Sequence, residues 1–160
     1  SQWKESADYQ LRKIDDRGTW ELILPADALH HQQLYKLRMC WRGGAGDRMP
    51  AYARRVVQDD RTKIFSAQVW APEKQYRWKH PAPKGKPEPP LIYEAHVGMA
   101  QERAGVGSYI EFKDNILPRI LDAGYNTIQL MAVMEHPYYG SFGYHVSSFF
   151  AASSRFGTPE

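Results

Sequence analysis

The stretch Leu91 to Met131, LIYEAHVGMAQERAGVGSYIEFKDNILPRILDAGYNTIQLM, decides the fold. It opens on a short apolar run, Leu91 to Val97, whose length and flanks suit a strand. Ser108-Tyr109-Ile110-Glu111 fits a capping box, in which the serine hydroxyl and the glutamate carboxylate satisfy free N–H groups where a helix begins. Ile116, Leu117, Ile120 and Leu121 then supply the stripe expected to be buried, and Gly124 suits the position just past the helix end. Pro118 has no N–H for a bond to Asp114, which predicts a kink or break near residues 114–117. Thr127 to Met131 resumes as a strand. Strand, helix, strand is a βαβ unit, which implies parallel pairing and a right-handed crossover.

Upstream, five of the eleven prolines fall within Pro81 to Pro90, PAPKGKPEPP, a composition that reads as a stiff linker. It divides the chain into two parts, 1–88 and 89–160. Before it the pattern has period two, as when one strand face is buried and the other wet. Trp20, Leu22 and Leu24 alternate with Glu21 and Ile23, and Tyr35, Leu37, Met39 and Trp41 alternate with Lys36, Arg38, Cys40 and Arg42. Trp20 and Trp41 are thus expected inside. Ile64 to Trp70 and Gln75 to Lys79 are further candidate strands. Turns are expected at Asp15 to Gly18, at Pro25-Ala26-Asp27 and at Gly43 to Asp47. Short strands between turns predict an antiparallel β-sandwich.

Composition narrows the function classes. With 42% apolar and 24% charged residues the chain has the make-up of a globular protein. No apolar run approaches the roughly 20 residues that span a bilayer, and no apolar signal segment opens the chain, so no membrane partner is expected. One cysteine, Cys40, leaves no internal disulfide or cysteine-rich metal site and suits a reducing, cytoplasmic compartment. Residues 1–90 carry 17 Lys/Arg against 11 Asp/Glu, and residues 91–160 carry 4 against 7. Acids are interspersed in the basic half and its longest basic run is Arg54-Arg55, so a mixed solvated surface is expected rather than a nucleic-acid partner.

Chemistry has few places to sit. No nucleophile elbow, phosphate loop or dinucleotide fingerprint occurs, so no cofactor is expected. Glu94 and His96 share a strand face, but two residues with no third ligand fall short of a metal site, and structural hydrogen bonding is the reading adopted. His30-His31 reads as inert loop. The unusual segment is Glu135 to Phe150, EHPYYGSFGYHVSSFF, with six aromatic residues between Tyr138 and Phe150. It follows the carboxyl end of the second parallel strand, where α/β proteins place ligand loops. Two readings stand: a ligand-binding loop, or a loop covering its own core. Within it Phe149 and Phe150 read as core and Tyr144 as the ligand contact. The ending Thr158-Pro159-Glu160 reads as the start of another helix. The uncovered sheet edges and apolar face of a lone βαβ unit suggest a piece of a longer protein, with 91–160 unstable alone.

The runs Ile92 to Glu102 and Gly124 to Glu160 closely resemble glycogen and starch branching enzymes of the α-amylase superfamily, glycoside hydrolase family 13. Gly18 to Pro25, GTWELILP, and the upstream tryptophans look like the later strands of the family-48 carbohydrate-binding module that precedes the barrel in those enzymes. Trp3 resembles the end of that module's Phe-Asn-x-Trp signature, which implies missing first strands. The resemblance implies a partial immunoglobulin-like β-sandwich followed by the first βαβ unit of a (β/α)8 TIM barrel. It implies cleavage of α-1,4-glucan chains and their transfer to a 6-hydroxyl by a retaining double displacement, with α-1,4-glucan as partner. The aspartate nucleophile and glutamate acid/base belong to later strands, so no catalytic residue is expected in this chain and the chain alone is expected to be inactive. Tyr144 matches the ring that underlies the sugar at the cleavage subsite, and His136 a polar position at the rim of the site. His145 stands where related branching enzymes commonly carry glutamine. A hydrolase or debranching enzyme of the same superfamily, and a non-catalytic glucan-binding module, are the alternatives.

Overall fold

The structure, a computed structural model, describes residues 3, 5–85 and 89–160. In the first half, short polar turns decide which strands meet. Asp15 accepts the backbone N–H groups of Arg17 and Thr19, both at 3.0 Å, and Gly18 takes a φ of +93°. This turn joins β1 (Arg12–Lys13) to β2 (Trp20–Glu21). The expected strand 35–41 is split between β3 (Leu34–Tyr35) and β4 (Leu37–Trp41). β4 pairs antiparallel with β5 (Gly44–Arg48) around Arg42-Gly43, so most of the glycine-rich run expected to turn is strand. Glycines fit there because the Trp41 indole lies against them: a Cβ on Gly44 would stand 3.1 Å from its Nε1.

β6 (Val56–Gln58), which the alternation does not announce, pairs antiparallel with β7 (Phe65–Gln68), and β3 lies on the other edge of β7. Asp59 closes their connection by accepting the Thr62 N–H at 2.7 Å and the Thr62 hydroxyl at 2.8 Å. No strand forms over 75–79. There Tyr76 and Trp78 make an edge contact at 5.4 Å. Of the proline-rich linker, residues 86–88 lie outside the described residues and the rest has no regular structure. The first half is therefore β-rich. Its described strands form three small sheets, two of them two-stranded ribbons. Trp20 and Trp41 belong to those ribbons and are 55% and 51% exposed rather than core.

In the second half, β8 (Ile92–His96) and β9 (Thr127–Met131) run parallel, with Ile92 opposite Thr127 and His96 opposite Met131. The helix between them starts with both halves of the capping box: Ser108 Oγ accepts the Glu111 N–H at 3.1 Å and Glu111 accepts the Ser108 N–H at 2.9 Å. α1 (Tyr109–Glu111) passes into a π turn, Phe112–Ile116, and then α2 (Leu117–Asp122). The wide turn falls where Pro118 predicts a disturbance and puts that proline in the first turn of α2, where no N–H is needed. It also shifts the buried row. Phe112, Ile116 and Ile120 face the core, whereas Leu117 and Leu121, expected inside, are exposed. Gly124 ends the helix at φ +90°, its N–H donating to Leu121 O while that of Tyr125 donates to Ile120 O.

β10 (Met134–Glu135) and β11 (Ser148–Ala152) then pair antiparallel around the aromatic segment, and a 3-10 turn, Ser154–Phe156, follows. Phe156, 1% exposed, centres one apolar cluster with Ala95, Val97, Phe112 and Ile120. Ala151 joins Ala53, Val56 and Ala67 in a second, which ties the two halves together. Among the described residues no helix is long and apolar enough to cross a membrane. Phe156→Ala is expected to cost about 3–5 kcal/mol and Ser108→Ala about 1 kcal/mol, both read from urea denaturation of the 160-residue chain.

Candidate functional site

The loop of residues 136–147 is held at its base by one carboxylate. Glu135 is 1% exposed. Its Oε1 accepts the His136 N–H at 3.2 Å and its Oε2 the Ser154 N–H at 2.7 Å. Its backbone carbonyl accepts the Ser147 N–H at 2.8 Å and the Ser147 hydroxyl at 3.1 Å, closing the loop across twelve residues. Arg155 fastens the outgoing strand, donating to His136 O at 3.4 Å and Pro137 O at 2.7 Å, with Gln58 Oε1 of the first half at 3.1 Å. Neither role is visible in the local pattern, since apart from the adjacent His136 N–H the partners of Glu135 and Arg155 lie 12 to 97 residues away.

The tip is strained. Ser141 donates through both N–H and Oγ to Tyr138 O, and the Tyr144 N–H donates to Ser141 O at 3.0 Å. Between these bonds Phe142 adopts φ +50° and Gly143 φ +81°, and just after β9 Ala132 adopts φ +59°. A left-handed conformation in a bulky residue such as Phe142 persists only where the surroundings enforce it. A Cβ on Gly143 would collide with Cα and Cβ of Ala132. This packing turns Tyr144 outward: its ring is 77% exposed, and His145 beside it is exposed as well.

His136, expected at the rim, is wholly buried. Its Nδ1 lies 3.0 Å from Met134 O and its ring leans on Phe156 at 6.0 Å, because Glu135 and Arg155 grip the backbone on either side of it. His96, at the end of β8, packs edge-on against Phe156 and Tyr139 at 5.7 and 6.0 Å. The structural hydrogen bonding expected of it does not form: neither ring nitrogen has a partner among the described residues. Burial pushes the His96 imidazole below its ordinary value, and the neighbouring His136 adds to the effect. Glu94, on the same strand, is exposed, with Gln129 Nε2 3.5 Å away. Phe149 and Phe150, expected in the core, are 70% and 57% exposed, since small Ala151 takes the buried place on β11. His31 is not idle loop: its Nδ1 accepts the Ala71 N–H at 3.1 Å and its ring meets Trp70. Among the described residues no group of three His, Cys, Asp or Glu side chains could hold a metal ion.

No family model matches the chain. It is 49% identical over 154 residues to a 1,4-alpha-glucan-branching enzyme of Rhizophagus irregularis, an alignment covering 92% of this chain and 22% of that protein. A 1,4-alpha-glucan-branching enzyme of Dictyostelium discoideum is 44% identical over all of this chain and 24% of its own length. The chloroplastic/amyloplastic 1,4-alpha-glucan-branching enzyme 2-2 of Arabidopsis thaliana is 44% identical over 99% of this chain and 20% of its own. The chain thus spans between a fifth and a quarter of the length of these curated relatives.

Two outcomes follow from this geometry. Gly143→Ala forces the Ala132–Gly143 contact apart and is expected to change the near-ultraviolet signal of the tyrosine-bearing loop while the far-ultraviolet spectrum stays the same. His96, lowered in the fold, gives stability that is full above its unfolded value of 6.5 and lost as pH falls through the folded value. The denaturation midpoint should therefore fall below pH 6.5, and His96→Gln should flatten that dependence.

Proposed function

We propose that this chain is the part of a 1,4-α-glucan-branching enzyme of the α-amylase superfamily that joins a glucan-binding β-sandwich, 1–88, to the start of a (β/α)8 catalytic barrel, 89–160. The observation that carries this reading is identity of 44–49% to branching enzymes over nearly the whole chain. The parallel β8–β9 pair joined by a helix is consistent with a barrel start, and the exposed Tyr144 lies on the loop leaving its carboxyl end.

In this reading Tyr144 underlies a glucose ring of the chain to be cut. A flat aromatic face suits the apolar C–H face of the sugar, and polar neighbours such as His145 reach its hydroxyls. His136 acts from inside, fixing the base of the loop that aims the tyrosine. The reaction is a retaining double displacement. An aspartate attacks the anomeric carbon as a glutamic acid protonates the leaving oxygen, and the covalently held chain is then passed to a 6-hydroxyl. Both carboxylates are assigned to strands of the parent enzyme outside this chain. Glu135 is not a substitute, since its carboxylate oxygens are taken by backbone N–H groups. The lone thiol of Cys40 suits a reducing compartment.

In the complete enzyme, Tyr144→Ala is expected to lower the transfer rate at least about tenfold, equivalent to about 1.4 kcal/mol. Tyr144→Trp should retain much of it. An unchanged rate in the alanine variant, with the melting temperature preserved, overturns the platform role.

A further inference from the structure

Side chains of the first half reach the segment that follows β11 at several points. Arg55 donates to Gly157 O, the Trp70 indole N–H donates to Glu160 Oε1, and Gln58 Oε1 accepts from Arg155, each at 3.1 Å. The last of these meets the group from which the aromatic loop is held. We infer that the first half of the chain sets the position of the Tyr144 loop, and that Gln58 and Arg155 are the positioning residues through which it acts on glucan transfer. This rests on the role proposed for Tyr144 above and gives the β-rich half a task other than holding polysaccharide.

The partners of the Arg155 guanidinium are the first support. Among the described residues no carboxylate pairs with it. Its acceptors are three neutral oxygens: His136 O at 3.4 Å, Pro137 O at 2.7 Å and Gln58 Oε1. A planar fork of fixed donors holds such a set in one geometry, which the point charge of a lysine does not. Two of the acceptors open the aromatic loop and the third lies on β6, so the guanidinium bridges loop and sheet.

Gln58 also meets Arg155 already oriented. Its Nε2 donates to Lys63 O at 2.9 Å, which leaves Oε1 for the guanidinium. The residue pairs with Phe65 across the β6–β7 ladder, and Val56 on the same strand is wholly buried. An acceptor mounted on a sheet loses little freedom when it is bonded.

From Arg155 a short bonded path leads to the ring. Pro137 has its φ fixed by its own side chain. The carbonyl of the next residue, Tyr138, accepts the Ser141 N–H at 3.0 Å and the Ser141 hydroxyl at 2.7 Å, and Ser141 O accepts the Tyr144 N–H at 3.0 Å. A displaced Pro137 carbonyl therefore moves the peptide that carries Tyr144. Misplacing a substrate-positioning group by about 1 Å can slow an enzyme about 100-fold.

The test is a set of double-mutant cycles on glucan transfer by the complete enzyme. Gln58→Leu and Arg155→Lys are each expected to lower kcat at least about fivefold, with KM changed less than about twofold and the melting temperature kept. The double variant should be no slower than Arg155→Lys, and Gln58→Leu should have no further effect once Tyr144→Ala is present. Hydrogen exchange of the 160-residue chain is the second measurement: Gln58→Leu is expected to speed exchange of the Ser141 and Tyr144 amides at least about tenfold, with the amides of β8 unchanged. An unaltered kcat in Gln58→Leu overturns the inference. So do losses that add in the double variant, a Gln58→Leu loss that persists in the Tyr144→Ala background, or loop amides that exchange as before. If Tyr144→Ala slows transfer and Gln58→Leu does not, the positioning role alone falls; if Tyr144→Ala leaves kcat unaltered, the platform role falls and the positioning role with it.

Discussion

A carboxylate withdrawn from water must have its oxygens bonded or it destabilises the fold by several kcal/mol. At Glu135 that requirement organises the second half of the chain. One oxygen holds the first peptide of the aromatic loop and the other holds the peptide of Ser154, so β10 and the 3-10 turn after β11 are fixed to the same side chain. That turn carries Phe156, against which the rings of His96, Tyr109 and His136 all pack. The Tyr109 hydroxyl is pushed up to about 12 by its burial and by the charge of Glu135, so it stays a neutral hydrogen-bonding group. The centre of the core and the base of the candidate site are thus one bonded unit, and the core cannot shift without moving the loop that carries Tyr144.

How much of this could be read beforehand depends on the range of the interaction. The capping box of Ser108 and Glu111, the helix end at Gly124 and the disturbance before Pro118 are each settled within about five residues, and each appears as the local pattern implies. The parallel pairing of β8 with β9 follows from the order of elements. The strand reading of the first half succeeds only in part, because alternation reports that one face is wet without reporting whether anything covers the other. Trp20 and Trp41 show the difference: their ribbons have one ladder each, and both residues are exposed. Leu117 and Leu121 fail for another reason. A single widened turn moves the buried row to Phe112, Ile116 and Ile120, and periodicity at 3.6 residues does not contain that insertion.

In the aromatic segment, residue type pointed the wrong way for the phenylalanines and left the histidine's burial unseen. Phe149 and Phe150 are open to solvent while His136 is sealed, because what decides burial there is the pair of long-range grips from Glu135 and Arg155. The positive φ values of Ala132 and Phe142 were equally invisible, yet they are where the backbone departs most from its preferred regions. Strain at a loop tip is kept only if the framework below is stiff enough to impose it. The arrangement at Tyr144 has that form: bonded at both ends, packed through Gly143 on Ala132, and open at the ring.

The distribution of aromatic side chains extends the same logic to the junction of the halves. Of the nine apolar residues that are buried among the described residues, only Phe112 and Phe156 are aromatic, and the cluster that joins the halves consists of three alanines and one valine. Small residues inside let the two backbones approach closely, and the large rings next to them in sequence are then turned outward. Tyr52 beside Ala53 and Phe150 beside Ala151 are the clearest cases. Closely spaced, rigidly held, outward rings are a poor way to stabilise a fold, since the apolar surface they leave in water contributes nothing to it. The packing that brings the halves together is therefore one of small side chains, which a larger residue in place of Ala53 or Ala151 forces apart.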